Sequence, residues 1–136
     1  MIEGAKRFIE EKGVLDRCEF IAGDFFDLVP SGGDLYILSG ILHDWDDDRA
    51  VKILKHCRRA MTHHGKILVV AMVIPHGNQP FYGKFHDLQT MVSTSGCDHT
   101  EAEYRDLLNS AGFELTTIFS TQSSVSVMVK YTSLEY

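Results

Sequence analysis

At 136 residues, 44% hydrophobic and 24% charged, the chain has the make-up of one globular domain rather than a disordered or low-complexity segment. A formal net charge of −6 argues against nucleic acid as a partner, because phosphate binding needs a basic surface. Cys18, Cys57 and Cys97 lie far apart without CxxC spacing, which predicts reduced thiols in a cytoplasmic protein rather than a disulfide framework. The longest apolar run, Ile67 to Ile74, is far short of a membrane span, and no apolar leader stands at the N-terminus.

Ile2, Ala5, Phe8 and Ile9 recur at helical spacing and predict an opening helix that Gly13 stops. Cys18 to Ala22 reads as a short strand ended by Gly23-Asp24, Pro30 to Gly33 as a turn, and Leu35 to Leu38 as a second, buried strand. Asp46, Asp47 and Asp48 mark the start of a helix, where carboxylates complement the exposed amides. Its buried stripe is Ala50, Val51, Leu54, Cys57 and Met61. Lys66 to Val73 is an unbroken apolar strand suited to a sheet covered on both faces. After a loop from Pro75 to Pro80, a helix is expected from Phe85 to Ser95, ending at Gly96. Thr100 and Glu103 form a capping box for a helix that ends at Ala111-Gly112. Glu114 to Ser120 and Ser124 to Lys130 form a terminal hairpin. Alternating strands and helices imply an α/β doubly wound sheet, whose ligands bind beyond the carboxyl ends of the strands.

Two segments stand at such ends. His43-Asp44-Trp45 follows a buried strand and precedes a capped helix; a histidine there is suited to proton transfer, though a structural loop histidine fits position alone as well. A His-Asp pair also serves metal-dependent phosphohydrolases, but none of the remaining histidines has a ligand spacing, so no metal is expected. For His63-His64, interaction with a helix C-terminus is explanation enough. Gly23-Asp24-Phe25-Phe26 sets an acid and two aromatics after a strand, where they either meet a flat ring or cap a turn and fill the core. Phe81, Phe85, Met91 and Met72 read as core packing before cavity lining, and Asp87 as a cap or a pocket residue.

Taken together, Gly23-Asp24-Phe25-Phe26, Leu35 to Leu38, Ile41-Leu42-His43-Asp44-Trp45, Gly65 to Val70, Val73-Ile74-Pro75, Thr100 to Tyr104 and Ala111-Gly112-Phe113 resemble the caffeate- and acetylserotonin-type O-methyltransferases. The resemblance runs over nearly the whole chain. It implies that residues 1–136 are the C-terminal portion of an S-adenosylmethionine-dependent catalytic domain: a partial Rossmann-like sheet with a C-terminal antiparallel hairpin, lacking the first two strands. It implies methyl transfer to a hydroxyl of a small, aromatic molecule. His43 matches the family's general base. Asp24 matches the acid near the cofactor's adenine, and Phe25 the residue packed on that ring. Asp44 and Trp45 are supports, and the side chain of Asp44 need not meet that of its neighbour His43.

Three departures from the family pattern stand out. Ser39 occupies the cofactor-contacting lysine position of plant members. Ala71 occupies the place of one of two acids that orient the histidine; Asp98 matches the other. The Gly-x-Gly-x-Gly loop is absent from the sequence, so a sheet gap or exposed edge is expected, covered by a homo-oligomer or a complementing N-terminal polypeptide. A non-catalytic remnant or binding module on the same fold is the alternative reading.

Overall fold

The computed structural model describes residues 2–132. Helix α1 (Ile2–Glu11) forms where expected, and Gly13 follows it at φ +68°, a left-handed position that stops a helix at little cost to glycine. Its apolar stripe stays outside the core: α1 buries no residue, and Phe8 is largely exposed.

Strand β1 (Leu35–Ser39) is followed by a 3-10 turn at Leu42–Asp44 and helix α2 (Asp47–Ala60). The carboxylate of Asp46 caps α2 by accepting from the Arg49 amide at 2.9 Å. Asp47 and Asp48 lie in its first turn, and Arg58 and Arg59 in its last, each sign at the end the helix dipole favours. Ala50, Ile53, Leu54 and Cys57 form its buried face, while Val51, expected there, is only half-buried. Strand β2 (Lys66–Ala71) alternates, turning Ile67, Val69 and Ala71 inward.

Next come strand β3 (Val73–Ile74), helix α3 (Gly83–Ser93), strand β4 (His99–Thr100), helix α4 (Glu101–Ser110), and strands β5 (Phe113–Ser120) and β6 (Ser126–Thr132). The capping box of α4 forms as read: the Thr100 hydroxyl accepts from the Glu103 amide, and the Glu103 carboxylate accepts from the Thr100 amide at 2.7 Å.

The main sheet has the order β1-β2-β6-β5. β1 and β2 run parallel, with Ile37 opposite Leu68. β6 enters antiparallel between β2 and β5, pairing Val69 with Met128 on one side and Ile118 with Met128 on the other. A mixed α/β sheet with a terminal antiparallel hairpin is thus present. Its core joins α2 and α4 (Tyr104, Leu107, Leu108) to the inward residues of β2, β5 (Phe113, Leu115) and Met128.

Some expectations fail locally. Cys18 to Ala22 is not a strand: Cys18 has extended dihedrals (φ −120°, ψ 130°), but the segment joins no ladder. Strand propensity becomes a strand only where a neighbouring edge accepts its hydrogen bonds. The expected gap within the sheet therefore does not arise, and β1 is an edge of the described sheet. The run from Lys66 to Val73 breaks after Ala71, because Val73 leaves the main sheet to pair in parallel with His99. Helix α3 starts and stops about one half-turn earlier than expected, and the second hairpin strand begins at Ser126. Among the described residues no helix is long and apolar enough to cross a membrane.

Candidate active site

The carboxyl end of β1 delivers the central residue. After Ser39 the chain turns through Gly40 at φ +61°, its amide still donating to the Val70 carbonyl at 3.1 Å. Ile41 and buried Leu42 anchor the turn in the core, and His43 stands on it with its side chain 19% exposed. On the far side, Gly96 is packed so closely that a Cβ there would meet the His43 carbonyl oxygen, and the Trp45 nitrogen at 2.5 Å. The backbone bearing His43 is thus clamped between β1 and the segment after α3.

That segment carries Asp98, whose side chain is fully buried. Its Oδ1 lies 3.8 Å from His43 Nδ1. Its Oδ2 accepts from His86 Nδ1 at 2.6 Å, and its amide donates to Asp87 Oδ1 at 2.8 Å. The rings of His43 and His86 meet edge-on at 5.3 Å. Asp98 Oδ1 has no hydrogen-bond partner among the described residues, so this buried acceptor stands unsatisfied 3.8 Å from His43 Nδ1. The other ring nitrogen of His43, Nε2, lies 3.5 Å from Asp44 Oδ1. The sequence left open whether these adjacent side chains meet; on the 3-10 turn they lie within ion-pair distance. Ala71 is buried in the core and offers no carboxylate.

His86 is the residue that sequence reading missed. Nothing in its spacing marked it, because α3 presents it to Asp98 only once the chain is folded. Asp87, read as a cap or a pocket residue, holds the Asp98 backbone by accepting from its amide. Phe85 and Met91, read as core packing, are 74% and 57% exposed on α3. Phe81 and Phe85 line a cavity of about 360 Å³ with Asn78, Gln79, Pro80, Lys84 and Leu88.

Asp24 and Phe25 reach the same end of the molecule through aromatic packing. Phe26 meets Trp45 edge-on at 4.7 Å, Phe25 meets Trp45 at 6.0 Å, and the Arg49 guanidinium covers the indole at 5.7 Å. This docks the strandless segment onto the His43 turn. Asp24 Oδ1 accepts from the Phe26 amide at 2.8 Å, so the acid shapes its turn, yet it stays exposed beside the half-buried Phe25. Ser39 is exposed at the end of β1. These three positions offer an aromatic ring, an exposed carboxylate and an exposed hydroxyl.

A different cluster brings Asp47, Cys97 and His99 together, with ligand atoms within 4.8 Å of one another. His99 Nε2 bonds Asp47 Oδ1 at 2.9 Å, tying β4 to the start of α2. Burial foremost, then the carboxylates of Asp47, Asp87, Glu103 and Asp98, push the Cys97 thiol above its ordinary range.

The model of the O-methyltransferase domain family matches residues 1–114. A phenazine O-methyltransferase of Lysobacter antibioticus is 45% identical over 126 residues, covering 93% of this chain and 37% of that protein. The solved structure of LaPhzM superposes with a TM-score of 0.92 at 43% identity, over 97% of this chain and 40% of that one. NcsB1, an O-methyltransferase from neocarzinostatin biosynthesis solved with S-adenosylmethionine and 2-hydroxy-5-methyl naphthoic acid, superposes with a TM-score of 0.84 at 32% identity, over 98% of this chain and 38% of that one. The chain thus spans well under half the length of the relatives it matches.

Proposed function

The chain belongs to the O-methyltransferase domain family, and on that premise we propose that it forms the C-terminal portion of a catalytic domain that methylates a hydroxyl of a small aromatic molecule. The observation that carries this reading is His43 at the carboxyl end of β1, backed by the fully buried carboxylate of Asp98. S-adenosylmethionine, when bound, supplies an electrophilic methyl group on a positively charged sulfur. His43 accepts the proton that the substrate hydroxyl gives up as its oxygen attacks that methyl group. Asp98, facing Nδ1, orients the ring and stabilises the imidazolium, which leaves Nε2, on the Asp44 side, as the accepting atom. Asp24 receives hydrogen bonds from the adenosine end, Phe25 packs on the adenine ring, and Ser39 donates one hydrogen bond without charge. The small hydroxylated substrate is the principal partner; a homo-oligomer or an N-terminal polypeptide completes the enclosure around it, in the cytoplasm.

His43→Ala is expected to abolish methyl transfer while leaving the heat of S-adenosylhomocysteine binding, read by calorimetry, within about twofold of the parent. An unaffected rate would remove His43 from the role of base. Ala71, apolar where the family resemblance places an orienting acid, favours a second reading, a binding module without turnover. That reading predicts binding heat with no methyl transfer in the parent protein.

A further inference from the structure

We propose that His86 is a positioning residue for His43, acting through Asp98. This rests on the reading of His43 as base. A carboxylate only accepts, so the 2.6 Å contact makes His86 Nδ1 the donor to Asp98 Oδ2. Asp87, next to it on α3, accepts from the Asp98 amide at 2.8 Å. One turn of α3 therefore grips Asp98 by backbone and side chain together. With Oδ2 and the amide both held, Oδ1 lies 3.8 Å from His43 Nδ1 and makes no hydrogen bond among the described residues.

Thr90, one turn further along α3, puts its Oγ1 3.5 Å from the same His86 Nδ1. The edge-on contact of the two imidazoles at 5.3 Å limits how far either can swing. Ala71 supplies no second carboxylate. One buried acid thus serves two imidazoles: His86 holds the acid, and the acid holds His43. A tether that merely fastened α3 to β4 would not need its acceptor shared with the proposed base.

The tautomer of His43 reads this arrangement directly, without a substrate. In long-range proton–nitrogen spectra of the purified, histidine-labelled protein, His43 is expected as a single Nδ1–H tautomer. His86→Gln, whose amide reaches the Nε2 position instead of Nδ1, should abolish that single-tautomer pattern. His86→Asn, whose amide reaches the Nδ1 position, should restore it, and Asp98→Asn should lose it whether or not His86 is present. Unchanged His43 signals in His86→Gln would overturn the proposal. So would equal loss in the Gln and Asn variants, the mark of a space-filling role. Because the base reading is tested by the rate of His43→Ala and the clamp by the His43 spectrum, failure of one is distinguishable from failure of the other.

Discussion

A methyl group at position 96 would strike the backbone that carries His43. The built Cβ of Gly96 meets the His43 carbonyl oxygen, the Trp45 nitrogen at 2.5 Å and the Asp44 carbonyl carbon at 2.7 Å. All three are main-chain atoms, so no side-chain rotation relieves the contact. Gly96→Ala is expected to cost about 1–3 kcal/mol in denaturant unfolding and to lower methyl transfer at least tenfold by moving His43 off Asp98. Retention of the full rate would show that the turn has more slack than its packing implies. From sequence, Gly96 marked only the end of a helix. Cys57, buried on α2, is pushed up to about 11 by desolvation and stays a neutral core thiol. His43 and Asp98 were visible through their motif positions. His86 was not, since its meaning lies in a partner that α3 brings close only in the folded chain.

Elements whose signals are local were the most legible. The Asp46 cap and acidic first turn of α2, and the Thr100–Glu103 box of α4, need only a few consecutive residues to work. The hydrogen bonds from the Thr100 amide and hydroxyl hold the Glu103 carboxyl below its usual range. A group whose folded value is depressed contributes stability above its unfolded value and loses it as pH falls through the folded value. Glu103 is exposed, so solvent screening keeps the effect small. Glu103→Ala is expected to lower stability by about 0.5–1 kcal/mol at neutral pH. Urea melts of parent and variant should converge at acid pH, below the ordinary carboxylate range; a constant gap across that window would contradict this. The segment at Cys18 to Ala22 and the two-residue strands β3 and β4 were opaque for the converse reason: pairing with a distant edge, not composition, decides them.

At the scale of the whole molecule, the described surface is unusually apolar along α3. Phe85, Leu88 and Val92 recur on one helical stripe and are 74%, 60% and 90% exposed. The outer edge of β1 adds Leu35 and Ile37. Contiguous exposed apolar surface favours association. The 136-residue chain on its own is expected to sediment as a concentration-dependent oligomer, and Leu88→Glu with Val92→Glu to shift it toward monomer. A monomeric parent at high micromolar concentration would refute this. Helix α1 shows the same division between pattern and packing: its period predicted a helix correctly, yet its apolar face finds no place in the described core.

By itself the sequence determined the helices, the caps of α2 and α4, the two strong strands, the hairpin and the family, and it singled out His43, Asp24, Phe25, Ser39 and Asp98 as candidates for the site. These follow from periodicity, capping chemistry and motif spacing, which act over a few residues or are carried in the order of the chain. Only the tertiary structure decided that β6 enters between β2 and β5, that β2 breaks so Val73 can pair with His99, and that Asp98 stands between His43 and His86. The physical reason is distance along the chain: such contacts close long loops, and no local signal records which closures the packed core selects.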